Sequence, residues 1–193
     1  MKNIALFLPR PKPDNYRGGM PLDCEEALIK IAKEILTDRI YCKEVKDELC
    51  KNCKFNSQDL KILNLFSGMT KYGVRVDLNP KVNPDYLLDA HICSKELLEK
   101  EGKFDIIIAD PPYSNKEAWE LYPNVQLPKL DYKVWTYECE KLLNDSGVLI
   151  VYHKYIMPNP NWAVFKVVKR VFIGTRTYHI PRVAIYFQYK ELK

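Results

Sequence analysis

"FDIIIADPPYS", residues 104–114, runs a buried strand into a loop that cannot continue it. Phe104, Ile106, Ile107, Ile108 and Ala109 make an almost unbroken apolar run, the pattern of a parallel strand covered on both faces. Asp110 ends the run. Pro111 and Pro112 then remove two backbone donors and fix two φ angles, so the chain leaves the sheet as a stiff segment carrying Tyr113.

Outward from this strand the same pattern recurs. "KILNLF" (61–66), "VRVDL" (74–78) and "GVLIVYH" (147–153) are short runs rich in Ile, Val and Leu, each bounded by turn residues. Between the last two strands, "LDYKVWTYECEKLLNDSG" (130–147) sets Trp135, Cys139 and Leu142 on one helical face, with Gly147 closing the turn. Upstream, "PLDCEEALIKIAKEIL" (21–36) reads as a helix with Asp23 as N-cap, Glu26 three residues on, and Leu28, Ile31, Ala32 and Ile35 as its buried face. Strands alternating with helices predict an α/β fold: a mostly parallel sheet with helices on both faces. "FKVVKRVFIG" (165–174) and "PRVAIYFQYK" (181–190) predict an antiparallel C-terminal hairpin at one edge of that sheet. The expected organisation is a single domain over 1–193: an N-terminal arm, helix and cysteine-bearing insertion over 1–60, and a catalytic core over 61–193.

Composition narrows the classes. The chain is 47% hydrophobic and 28% charged, as a globular protein is, and no apolar run approaches the roughly 20 residues of a membrane helix. Its first residues have too short an apolar stretch for a signal peptide, which predicts a cytoplasmic protein. From Lys154 onward there are eight Lys/Arg against the one acid Glu191, so a basic, Tyr- and Phe-rich C-terminal third offers a surface for a polyanion or simply a solvated face. Cys24, Cys93 and Cys139 read as isolated buried thiols. Cys42, Cys50 and Cys53 lie together in "YCKEVKDELCKNCKF" (41–55), but half of a paired Cys-x-x-Cys pattern does not define a metal site. Surface thiols on a helical insertion are the expectation, with zinc as the alternative.

Ligands of parallel α/β sheets bind at the carboxyl ends of the strands, so the residues just past each strand matter most. "LFSG" places Ser67 and Gly68 where backbone can approach a ligand, and "VDLN" places Asp77 where a carboxylate can accept both hydroxyls of a ribose. "LLDAH" brings Asp89 to the same edge, and "DPPY" completes the set. Singly, each has a plainer reading: a turn at Ser67–Gly68, a turn initiator at Asp77, a helix N-cap at Asp89, a rigid bend at Pro111–Pro112.

Together, over residues 61–153, these motifs resemble the class I S-adenosylmethionine-dependent methyltransferases, and among them the amino-methyltransferases that carry Asp/Asn-Pro-Pro-aromatic, such as DNA adenine methyltransferases. The resemblance implies a Rossmann-like methyltransferase fold with S-adenosyl-L-methionine as cofactor. It assigns Phe66, Ser67 and Gly68 to the methionine side of the cofactor, Asp77 with Leu78 to its ribose, Asp89 with Ala90 to its adenine amine, and Asp110 to both cofactor and target. It implies catalysis by Asp110, Pro111, Pro112 and Tyr113: two acceptors for the hydrogens of an exocyclic amine and a stacking face for the base. The implied substrate is nucleic acid, adenine in DNA first, with an adenine or guanine amine of RNA, or a non-catalytic cofactor-binding subunit, as alternatives. Only "MTKYG" (69–73) separates "FSG" from "VRVDL", too few residues for the usual helical crossover. The segment after Tyr113 is short for a recognition domain, which points to a partner subunit for target choice. Trp119, Tyr122, Arg176, Tyr178, His179 and Arg182 could touch nucleic acid, and Tyr16 and Arg17 could close over the cofactor.

Overall fold

A computed structural model describes residues 2–9, 20–21, 23–44, 60–121, 129–175 and 181–190, the side chains of 2, 38–44 and 121 excepted. The expectations for Tyr16, Arg17, Tyr122, Arg176, Tyr178, His179 and the thiols of Cys42, Cys50 and Cys53 lie outside the described residues.

Apolar runs with every residue buried can only be covered from both sides, and the sheet is built accordingly. Its strands are β1 (Lys2–Phe7), β2 (Ile62–Leu65), β3 (Val74–Asp77), β4 (Tyr86–Leu87), β5 (Phe104–Ala109), β6 (Leu143–His153), β7 (Phe165–Gly174) and β8 (Arg182–Tyr189). They lie in the order β1-β7-β8-β6-β5-β2-β3-β4. From β6 to β4 all pairings are parallel, and β8 runs antiparallel between β6 and β7. Helices α1 (Cys24–Glu44), α2 (Ser94–Lys100), α3 (Asn115–Leu121) and α4 (Tyr132–Leu142), with a short 3-10 turn at Pro80–Val82, complete the described elements.

Alternation along each strand sorts the core into two layers. Ile106, Ile108, Val148, Ile150, Val171 and Tyr186 face α1, whose Cys24, Leu28, Ala32, Ile35 and Leu36 recur at helical spacing. Leu63, Leu65, Ile107, Ala109, Leu149 and Val151 face the other way, against Leu97 of α2 and Trp135, Cys139 and Leu142 of α4. Cys24, Cys93 and Cys139 are free and buried, and among the described residues no three His, Cys, Asp or Glu side chains gather as a metal site. No described helix is long and apolar enough to cross a membrane.

Four local expectations are corrected. Residues 2–7 are not part of an arm: they form β1, parallel to β7, so the C-terminal hairpin sits one strand in from the edge. The first helix runs on to Glu44, eight residues beyond its apolar period. Asp89 does not cap a helix, because α2 starts five residues later at Ser94 with Cys93 as its N-cap. Gly147 lies inside β6, which begins at Leu143 directly after α4, and does not close a helix-to-strand turn.

The link between β2 and β3 contains no helix, as its length requires. Residues 66–73 return along the sheet to place Val74 opposite Leu63. The buried amide of Asn64 donates to the Tyr72 carbonyl at 2.8 Å and holds the returning chain down. Gly73 then passes so close to β2 that a Cβ would stand 2.3 Å from the Ile62 carbonyl oxygen, with φ at +63°. Gly73→Ala is expected to cost about 2–4 kcal/mol in urea unfolding, against about 1 kcal/mol for Gly102→Ala. Gly102 also has positive φ, +74°, but nothing within 4 Å of its added Cβ, so the difference between the two variants isolates the collision at Ile62.

Candidate active site

Parallel β2, β3, β4, β5 and β6 end at one edge, and β8, running the other way, begins there. Phe66–Gly68, Asp77–Leu78, Leu88–His91, Asp110–Tyr113, His153 and Arg182 are thereby brought together although up to 116 positions separate them in the chain.

Phe66, Val76, Asp77, Leu78, Leu88, Asp89, Ala90, His91, Pro112, Ala118 and Leu130 enclose a pocket of about 490 Å³, its open mouth included. Five residues singled out in the sequence for a cofactor, Phe66, Asp77, Leu78, Asp89 and Ala90, line it, and so does Pro112 of the proline loop. Ser67 and Gly68 do not; they form the tight turn behind Phe66. Phe66 itself holds a left-handed backbone, φ 56°, which costs a non-glycine residue about 1 kcal/mol or more. Two contacts hold it: the Ser67 N–H donates to the Val76 carbonyl at 3.1 Å, and the Phe66 ring meets Trp135 edge-on at 5.6 Å.

Asp77 is the organising acid of the pocket floor. One carboxylate oxygen accepts the Gly68 N–H and the other the Asn79 N–H, each at 2.8 Å. Burial raises its pKa above the usual carboxylate value, and the backbone N–H groups of Gly68, Asn79 and Leu78 oppose that rise. A carboxylate has about four acceptor positions, so these three N–H groups leave one for a hydroxyl. The Ser67 hydroxyl is buried and has no hydrogen-bond partner among the described residues. At the far wall, Asp89 Oδ1 accepts both the backbone N–H and the Nδ1 hydrogen of His91, at 2.9 and 2.6 Å.

On its other side the proline loop faces a different environment. The Tyr113 ring has the guanidinium carbon of Arg182 4.8 Å from its centroid and the Lys154 ammonium at 5.2 Å, and His153 meets it edge-on at 4.8 Å. Arg182 Nε also donates to the Tyr113 hydroxyl at 2.8 Å. The loop is anchored beyond Tyr113 as well: Ser114 Oγ accepts the Glu117 N–H, and Glu117 accepts the Tyr113 N–H at 2.8 Å. This Ser-x-x-Glu capping arrangement at the start of α3 is readable in the sequence.

Burial pushes the Asp110 carboxyl well above the usual carboxylate range; Arg182 pulls it down, while Glu25 and Glu117 push it further up. Glu25, in the first turn of α1, is itself raised by burial, a rise that the Thr70 hydroxyl opposes. His91, His153, Lys154 and Glu25 carry no local sequence signal; only the fold brings them to this edge. Trp119 is 60% exposed, clear of both the pocket and the Tyr113 niche.

Neither a family model nor a curated protein matches the chain. Among solved structures, a SAM-dependent methyltransferase from Agrobacterium tumefaciens is similar at a TM-score of 0.51 and 13% identity, over 96% of this chain and 67% of that one. TrmN from Thermus thermophilus overlaps 67% of this chain at a TM-score of 0.44 and 14% identity, and the chain spans 44% of its length. The fold is therefore the α/β Rossmann-like fold of methyltransferases.

His153 gives the site a pH signature. Burial, then Lys154 and Arg182, lower its pKa to about 4, and its Nδ1 accepts the Tyr155 N–H at 3.0 Å. The unfolded chain, with an ordinary histidine near 6.5, binds more protons between those values, so stability falls as pH drops from 6.5 towards 4. His153 is expected to account for at most about 3 kcal/mol of that loss. Urea unfolding across this window should show a flatter pH dependence for His153→Phe than for the parent; identical slopes would show that the ring titrates normally.

Proposed function

We propose that the protein is an S-adenosylmethionine-dependent methyltransferase that modifies an exocyclic amine of a nucleic-acid base, adenine in DNA being the first substrate to test. One observation carries this reading: the Asp110–Tyr113 loop lies between an open pocket, which Pro112 lines, and a niche where Tyr113 is surrounded by Arg182, Lys154 and His153. The fold shared with a SAM-dependent methyltransferase supports it.

The pocket's chemistry fits the adenosine part of the cofactor. Phe66, Leu88, Ala90 and Leu130 give apolar walls for a flat ring, Asp89 an acceptor for its amine, and Asp77 an acceptor for a ribose hydroxyl. Ser67 and Gly68 do not line the pocket; assigned to the methionine side, they would meet the cofactor there through the Ser67 hydroxyl, which has no partner among the described residues. When bound, the cofactor supplies a methyl group on a cationic sulfur.

The chain's own residues then prepare the acceptor. An amine conjugated into a base ring is a weak nucleophile, because its lone pair is delocalised. The Asp110 carboxylate and the Pro111 carbonyl accept its two hydrogens and favour a tetrahedral nitrogen, and the prolines hold that carbonyl without a competing donor. The raised pKa of Asp110 suits its carboxylate to take the proton that the methylated nitrogen must release. A base stacking on Tyr113, worth about 1–3 kcal/mol, would take the place of Arg182 or Lys154 over the ring. Arg182, Lys154 and the basic C-terminal third favour a polyanionic substrate. Sequence-specific reading would need more surface than the short segment after Tyr113, or a partner subunit. Free buried thiols at Cys24, Cys93 and Cys139 agree with a cytoplasmic location.

Label transfer from S-adenosylmethionine into duplex DNA, ribosomal RNA and transfer RNA, followed by digestion to nucleosides, should yield methyladenosine from the DNA pool. Asp110→Ala is expected to reduce transfer about 10²–10³-fold while cofactor binding persists. Label in RNA alone would reassign the substrate, and cofactor binding without transfer to any pool would favour a non-catalytic subunit. For the active protein, kcat/KM should rise with pH through the elevated Asp110 pKa, and this limb should vanish in Asp110→Asn.

A further inference from the structure

Asp89 lies on a turn after β4, which is only two residues long and forms the outer edge of the sheet. Its side chain is four-fifths buried at the pocket wall, and it must point at one atom if it is to recognise an amine. His91 supplies the hydrogen bonds that fix that direction. The His91 N–H reaches Asp89 Oδ1 at 2.9 Å and Nδ1 reaches the same oxygen at 2.6 Å. The other ring nitrogen, Nε2, accepts the backbone N–H of Asp131 at 2.9 Å.

That last bond settles the tautomer. Nε2 must present its lone pair to an N–H donor, so the ring hydrogen sits on Nδ1 and is aimed at Asp89. Both His91 hydrogens go to Oδ1, and among the described residues Oδ2 accepts no hydrogen bond. A planar carboxylate with one oxygen pinned has its other oxygen aimed. Asp131 is in turn the N-cap of α4, its Oδ1 accepting the N–H groups of Lys133 and Val134 at 3.0 and 3.3 Å, so the ring is held from a rigid helix end.

From this geometry we infer that His91 is a positioning residue: it orients the Asp89 carboxylate, from the start of α4, towards the exocyclic amine of an adenine in the pocket. The inference rests on the proposed adenine role of Asp89. It makes His91 a determinant of selectivity for a 6-amino over a 6-oxo purine.

The test is calorimetric and needs no turnover. Binding of S-adenosylhomocysteine is compared with that of S-inosylhomocysteine, in which a carbonyl replaces the amine, for the parent, His91→Phe, His91→Asn, Asp89→Asn and the double variant Asp89→Asn/His91→Phe. His91→Phe keeps an aromatic ring but loses both ring hydrogen bonds. It should weaken the adenosyl ligand about tenfold and the inosyl ligand less than about twofold. His91→Asn, which retains an N–H two residues from Asp89, should recover part of the selectivity. In the Asp89→Asn background, His91→Phe should change adenosyl binding less than about twofold. Equal weakening of both ligands by His91→Phe would mean that the ring only supports the fold, and would overturn the inference. Unchanged adenosyl binding in His91→Phe, with weakened binding in Asp89→Asn, would also overturn it while leaving the role of Asp89 intact. If Asp89→Asn itself leaves adenosyl binding unchanged, the adenine assignment of Asp89 is what fails. Should His91→Phe not fold, His91→Asn decides alone: selectivity above that of Asp89→Asn upholds the inference, and selectivity equal to it refutes it.

Discussion

Two prolines directly after the central strand β5 govern how this edge of the protein can be used. Without backbone donors at Pro111 and Pro112 the chain cannot extend the sheet, and with fixed φ angles it cannot collapse onto the strand ends. It stands instead as a wall. Pro112 contributes to the pocket on one side, and Tyr113 is held on the other by Arg182, Lys154 and His153, with the Ser114 and Glu117 cap fixing the far end. On the proposed reading, this wall would present the Asp110 carboxylate and the Pro111 carbonyl between a cofactor on one side and a base on the other, preorganised for transfer.

The pocket floor depends on a second constraint, the eight-residue link between β2 and β3. A helical crossover would have placed a helix N-terminus beside the cofactor site; here that role falls to side chains. Asp77 gathers the backbone N–H groups of Gly68 and Asn79, Asn64 clamps Tyr72, and the Thr70 hydroxyl accepts the Tyr72 N–H. The link is short because it lies flat, and it lies flat because Gly73 lets the chain pass over Ile62.

Much of this was legible in the sequence because it is local and periodic. The Ile/Val/Leu runs marked β2, β3, β5 and β6, the alternating C-terminal runs marked β7 and β8, and helical spacing marked the buried faces of α1 and α4. The motifs at strand ends were readable for the same reason: a parallel sheet turns their order into a shared edge, and Phe66, Asp77, Leu78, Asp89, Ala90 and Pro112 do line one pocket. What escaped depends on pairing across the chain. β1 is recognisable only through its partnership with β7, more than 160 residues away, and the two residues of β4 are too few to show a period. His91 and His153 take their meaning from Asp131, Tyr113 and Arg182, which no local pattern connects to them. The Ser114-x-x-Glu117 cap was open to view and follows directly from the loop it anchors.

The central claim is that one pocket at the ends of β2, β3 and β4 holds a nucleoside against the proline loop. A crystal structure of the protein with S-adenosylhomocysteine tests it most directly. The account predicts the adenine between Phe66, Leu88 and Leu130 with its amine at Asp89, the ribose at Asp77, and the sulfur turned towards Asp110. Density for the ligand elsewhere on the protein, or a pocket left empty at saturating ligand, would contradict it.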